Sequence, residues 1–138
     1  MAISGGCLCG KVRFEIAAEA PLTARQCWCR VGQYLSAGGG TVNVVFPKDA
    51  IIVTGETTVF TSIADSGSVM FRSFCPSCGT PLFSEAEPRP HQIIVRAGSL
   101  DDREIGKPGA IIWTRSAPNW ACFDPKLPQA EGHAARVK

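Results

Sequence analysis

The chain has 138 residues, 45% of them hydrophobic, and 14 Lys and Arg against 12 Asp and Glu leave a formal charge of +2. That size suits one domain with a modest core, and the composition excludes wholesale disorder. So small a charge gives no electrostatic case for nucleic acid or an anionic membrane, and no run reaches the roughly 20 apolar residues of a spanning helix.

The opening Met-Ala-Ile-Ser-Gly-Gly-Cys has no basic region and no long apolar stretch, so it does not read as a signal peptide. The expected location is therefore the cytoplasm, where thiols stay reduced. Seven cysteines there call for an explanation other than disulfides. In Lys11–Ile16, Val12, Phe14 and Ile16 alternate with Lys11, Arg13 and Glu15, as in a half-buried strand. Further strands are predicted over Thr41–Phe46, Ile51–Thr54, Thr57–Ile63, Ser68–Phe74, Pro81–Ser84, Gln92–Ala97 and Ala110–Thr114. Turn signals separate them, among them Gly38-Gly39-Gly40, Ser66-Gly67 and Pro88-Arg89-Pro90. Only Arg30 to Ala37 reads as a short helix. This pattern predicts an all-β domain over residues 1–127, followed by a loosely held tail over 128–138.

Gly6-Cys7-Leu8-Cys9-Gly10 and Cys75-Pro76-Ser77-Cys78-Gly79 carry the strongest chemical signal. A structural zinc ion takes four ligands in a tetrahedron, and two short cysteine pairs from distant parts of the chain supply them. Adjacent glycines permit the tight turns that aim both sulfurs of a pair at one point. The competing readings are four buried free cysteines or, for Cys75 and Cys78 alone, a redox motif. The redox motif lacks its usual βαβ surroundings.

Gln26-Cys27-Trp28-Cys29-Arg30 is a third pair, and two thiolates do not close a tetrahedral site. Such a pair can hold a metal whose other positions go to water or a substrate thiol, or it can be two unmetallated cysteines in a loop. Both readings fit the residues. Arg30 favours the thiolate form of Cys29. Cys122, between aromatic neighbours, is expected in the core. His91 and His133 are expected in solvent, and Trp113 and Trp120 read first as packing residues.

In order along the chain, Gly-Gly-Cys7-Leu-Cys9-Gly-Lys-Val-Arg13-Phe14, Cys27-Trp-Cys29-Arg30 and Arg72-Ser-Phe74-Cys75-Pro-Ser-Cys78-Gly79 resemble the glutathione-dependent formaldehyde-activating enzymes, a family that also includes centromere protein V. Gly98-Ser-Leu100-Asp101-Asp102, Ala117-Pro118-Asn119-Trp120 and Leu127-Pro128 continue the likeness. The resemblance implies a β-tent of small antiparallel sheets organised around a zinc held by Cys7, Cys9, Cys75 and Cys78. It also implies a second, catalytic zinc on a Cys-x-Cys-x-x-Cys block. Cys27 and Cys29 match the first two positions of that block, but the third is Gly32.

Two functions follow. In one, the protein is a carbon–sulfur lyase joining glutathione to formaldehyde as S-hydroxymethylglutathione. Cys27 and Cys29 would be catalytic, a zinc there would bind the glutathione sulfur, and Arg30, Arg72 or Arg115 would hold its carboxylates. In the other, a zinc-stabilised module binds a partner or small molecule without turnover, because Gly32 leaves the second site incomplete.

Overall fold

The computed structural model describes residues 2–133. Two sheets make up the molecule. The smaller is antiparallel, with β2 (Arg13–Ile16) flanked by β1 (Ile3–Gly6) and β5 (Ile51–Thr54). The larger has seven strands in the order β10-β3-β4-β9-β8-β7-β6. Its strands are β3 (Thr23–Cys27), β4 (Thr41–Pro47), β6 (Thr58–Ile63), β7 (Val69–Phe74), β8 (Pro81–Ala86), β9 (Gln92–Arg96) and β10 (Ala110–Ile112). Every pairing is antiparallel except that of β10 with β3. The one α-helix among the described residues, α1 (Arg30–Leu35), follows β3 closely.

This agrees with the expected all-β class and a four-cysteine cluster between small sheets. All eight expected strands occur, with ends displaced by a residue or two, and two more were not foreseen. β1 is Ile-Ser-Gly-Gly, too short and glycine-rich to show alternation. β3 is Thr-Ala-Arg-Gln-Cys, with Ala24 in the main core and Cys27 in a smaller cluster with Ile112 and Trp113.

Period-two geometry sends successive side chains of a strand to opposite faces. On the large sheet, Val44, Phe46, Phe83, Ile93 and Val95 point toward the small sheet and join Ile3, Val12, Phe14 and Ile16 in one core. Phe14 and Phe83 meet edge to face with ring centroids 5.2 Å apart. The alternate residues, among them Arg25, Cys27, Asn43, Arg72, Ile94 and Arg96, face a cavity on the other side. The sheet is thus covered on one face and hollow on the other.

The first part of the expected tail is hydrogen-bonded to the large sheet. Ile111 N donates to Pro128 O at 2.9 Å, Ala130 N to Ile111 O at 2.9 Å and Trp113 N to Gly132 O at 3.0 Å. Residues 128–132 therefore run beside β10 and satisfy an edge that would otherwise carry unpaired backbone groups. Residues 134–138 of that expected tail lie outside the described residues.

Candidate metal centre and cysteine cavity

The turn joining β1 to β2 and the turn joining β7 to β8 are built alike. Cys7 N donates to Val12 O at 3.0 Å, and Cys75 N donates to Thr80 O at 3.1 Å. Inside each loop a glycine turns the chain: Gly10 N reaches Cys7 O, Gly79 N reaches Cys75 O, and both glycines have φ near the left-handed region, at 81° and 75°. A side chain is disfavoured at such φ values, and this is the physical basis of the Cys-Gly signature.

These turns bring the Sγ atoms of Cys7, Cys9, Cys75 and Cys78 within 4.8 Å of one another, a cluster that could hold a metal ion. Cys7 and Cys9 sulfurs lie 3.5 Å apart, and Cys9 and Cys75 sulfurs 3.7 Å. Backbone N–H groups point at the sulfurs, from Val12 to Cys7 at 3.3 Å and from Ser77 and Cys78 to Cys75 at 3.4 and 3.5 Å. Such donors favour thiolates. The Thr80 hydroxyl, with the Thr80 N–H, holds the Cys78 thiol down at about 5. One turn belongs to each sheet, so an ion here would fasten the two sheets together.

The second cysteine pair lies elsewhere. Cys27 ends β3 on the cavity face, and Cys29 caps α1, its sulfur accepting from Gly32 N at 3.2 Å. Trp28 between them is buried against Trp120 and Phe123 on the other side of the segment. Gln33 fixes the loop by donating from Nε2 to Trp28 O and Ser116 O, both at 2.9 Å. Hydrogen bonding to Cys27 pulls the Cys29 thiol down against the effect of burial; the Gly32 N–H and, against Asp65, the Arg72 charge help to bring it to about 6. Cys27 moves the opposite way, raised by its hydrogen bond with Cys29 and by burial.

Both cysteines line a cavity of about 130 Å³ whose walls also carry Arg25, Arg72, Arg89, Arg96, Asp65 and Trp113. Of the three arginines expected at the site, Arg72 is there. Arg30 instead stacks over Tyr34 at 5.1 Å and Arg115 over Trp113 at 4.8 Å. Arg96, Asn43 and Gln92 were missed, because polar residues alternating with apolar ones read as the solvent face of a half-buried strand. Trp113 has φ 58°, the left-handed region that a bulky residue enters only when its surroundings hold it there. It serves as cavity wall as well as packing. His91 and His133 are both exposed, as expected, and His133 also rests 5.7 Å from the Trp113 ring at the cavity wall. Cys122 is not in the core: it is exposed, with its aromatic neighbours Trp120 and Phe123 turned to Trp28.

The second zinc suggested by the resemblance does not fit. Among the described residues the only gathering of three or more potential ligands is the Cys7 group. At position 32 a Cβ would lie 2.5 Å from Thr41 Oγ1, so the place where a third ligand would begin is already filled.

A model of the glutathione-dependent formaldehyde-activating enzyme family matches residues 2–116. The chain belongs to this family. A curated family member from Halomonas elongata, named for the same family, is 26% identical over 126 residues, covering 87% of this chain and 80% of its own. A crystal structure of a Rhodobacter sphaeroides protein superposes with a TM-score of 0.58 at 19% identity, spanning 76% of this chain and 96% of the other, which supports the fold alone. Among the described residues, no helix of this formaldehyde-activating enzyme family member is long and apolar enough to cross a membrane.

Proposed function

We propose that this protein is a zinc-stabilised member of its family that makes and breaks the carbon–sulfur bond between a small thiol and an aldehyde. The family name points to glutathione and formaldehyde as the pair. The observation that carries this reading is that Cys27 and Cys29, far from the four-cysteine cluster, line a cavity walled by arginines.

Zinc is the ion that the cluster fits best. Four thiolates at about 2.3 Å from zinc form a tetrahedron with edges of about 3.8 Å. The sulfur separations of 3.5 and 3.7 Å are close to that. Zinc there supplies a cross-link, and with every position taken it offers no place for substrate. Seven free thiols also suit a reducing compartment such as the cytoplasm.

In the cavity the substrate thiol gives its proton to the Cys29 thiolate, the resulting sulfur anion adds to the aldehyde carbon, and the carbonyl electron pair moves to oxygen. That oxygen takes the proton back from Cys29, leaving a hydroxymethyl thioether and the Cys29 thiolate, and the reverse sequence releases the aldehyde. Arg72 and Arg96 favour the anionic groups on this path. No step passes through a metal at Cys27 and Cys29.

The competing reading is a binding module without turnover, favoured by the closed third position at Gly32. Exchange NMR on mixtures of glutathione and formaldehyde separates the two. Catalysis predicts adduct exchange at least about tenfold above the spontaneous rate and its loss in Cys29→Ser, equivalent to about 1.4 kcal/mol or more of barrier. Spontaneous rates with wild-type protein would instead support the binding module. Zinc per chain by elemental analysis accompanies the assay, with one equivalent expected in both proteins and none in Cys75→Ser.

A further inference from the structure

Burying a guanidinium costs free energy unless a negative charge or a full set of hydrogen bonds replaces water. Arg96 is 8% exposed, on the cavity face of β9. Its Nη1 donates to Asn43 Oδ1 and its Nη2 to Ser84 Oγ, both neutral. Arg72, two strands away on β7, donates from Nε to Ser62 Oγ at 2.9 Å, and no other hydrogen bond from its guanidinium is found among the described residues. Neither arginine is ion-paired among the described residues, where carboxylates pair instead with Arg13 and Lys48. The two like charges also act on each other: burial, and then the Arg72 charge, draw Arg96 down to about 10.

Asp65 is the one carboxylate on the wall among the described residues, and it accepts from Arg30 N at 3.1 Å. Counting Asp65 and a Cys29 thiolate, the arginine side of the cavity still calls for an anion. An Arg pair matches a carboxylate in geometry as well as charge. The space is limited: about 130 Å³ is slightly less than an engineered cavity of about 150 Å³ that accepts benzene. A ligand of some six to eight heavy atoms fits such a volume, and a tripeptide would enter it only in part.

We infer that the cavity is a carboxylate site, with Arg96 and Arg72 as the recognition pair, and that its occupant is a small oxo acid of two to four carbons. The carboxylate part stands on the arginines alone. Only the carbonyl part, which directs the aldehyde or ketone carbon toward Cys29, rests on the carbon–sulfur reading proposed above.

Glyoxylate is the probe, with its uncharged counterpart glycolaldehyde and with glutathione beside it, each titrated calorimetrically into zinc-loaded protein. Glyoxylate is expected to bind and to raise the melting temperature, more weakly as salt is added, with glycolaldehyde at least tenfold weaker. Arg72→Gln is expected to lower glyoxylate affinity tenfold or more while keeping the far-UV spectrum and ligand-free melting temperature. Asn43→Ala, which leaves both guanidiniums in place but frees Arg96 to move, is expected to lower affinity by less.

Equal binding of glyoxylate and glycolaldehyde, or unchanged glyoxylate affinity in Arg72→Gln, would overturn the carboxylate site. Glutathione binding that depends on Arg72, with no response to glyoxylate, would overturn the small-acid assignment. Glyoxylate binding in a protein that fails the adduct-exchange assay leaves the carboxylate site standing and removes only the catalytic reading.

Discussion

At position 32 an added Cβ would lie 2.5 Å from Thr41 Oγ1 and 3.2 Å from both Cys27 O and Cys29 Sγ. The Thr41 hydroxyl is buried and has no hydrogen-bond partner among the described residues. Gly32→Ala should therefore destabilise by about 1–3 kcal/mol through crowding, partly offset by up to about 1 kcal/mol of helix propensity. Adding Thr41→Ala should recover most of that loss, and urea denaturation of the four proteins in a double-mutant cycle reads the coupling directly. Strict additivity would show that the hydroxyl is not what fills the space. Cys29 offers a second test at this scale. Its lowered pKa of about 6 means that the thiolate persists above that pH. Alkylation of Cys29 by iodoacetamide, followed by mass spectrometry, should be nearly flat from neutral pH upward and fall as pH drops through about 6. A midpoint at the ordinary cysteine value of about 8.5 would mean that Cys27 and Gly32 do not hold the thiolate.

Strands differ in what each face does, and this sets the cost of mutation. Phe83 on β8 sits in the shared core against Phe14, whereas Phe60 on β6 is 63% exposed. Phe83→Ala should cost about 3–5 kcal/mol as a cavity-forming change. Phe60→Ala should stay within about 0.5 kcal/mol. Thermal or chemical denaturation would measure both, and similar losses would contradict the two-faced arrangement of the large sheet. β9 shows why the arrangement matters for function: Ile93 and Val95 anchor it in the core, and the same rigid strand then holds Arg96 toward the cavity. A charged group kept on a central strand is positioned more firmly than one on a loop.

For the whole molecule, an ion held by the four-cysteine cluster would fasten together two sheets that otherwise share only one core. Metal binding requires deprotonated thiols and is thermodynamically linked to folding. Removing the ion with a strong chelator should abolish the cooperative thermal transition, and returning zinc should restore it. Stability should also fall as pH drops, because protons compete with the ion for the sulfurs. A metal-free protein with an unchanged melting temperature would show that the core suffices alone. The cysteine cavity lies on the opposite face of the large sheet from the core, so Cys29→Ser should leave zinc content and melting behaviour close to wild type.

The sequence by itself determined the strand-rich class, most of the strands, the four clustered cysteines and the family likeness. Those features are local: alternation follows from strand geometry, and Cys-Gly turns follow from backbone freedom at glycine. β1 and β3 escaped because glycine and cavity-facing polar residues erase the alternation that marks a half-buried strand. Only the tertiary structure decided that Arg96 is buried beside Arg72, that Arg30 and Arg115 stack elsewhere, and that Thr41 fills the space at Gly32. Each of these depends on strands distant in sequence meeting in one register, and no local pattern encodes which side chains that register brings together. The order β4-β9-β8-β7 brought Asn43, Arg96, Ser84 and Arg72 to one wall, and with them the positive charge that the proposed ligand would answer.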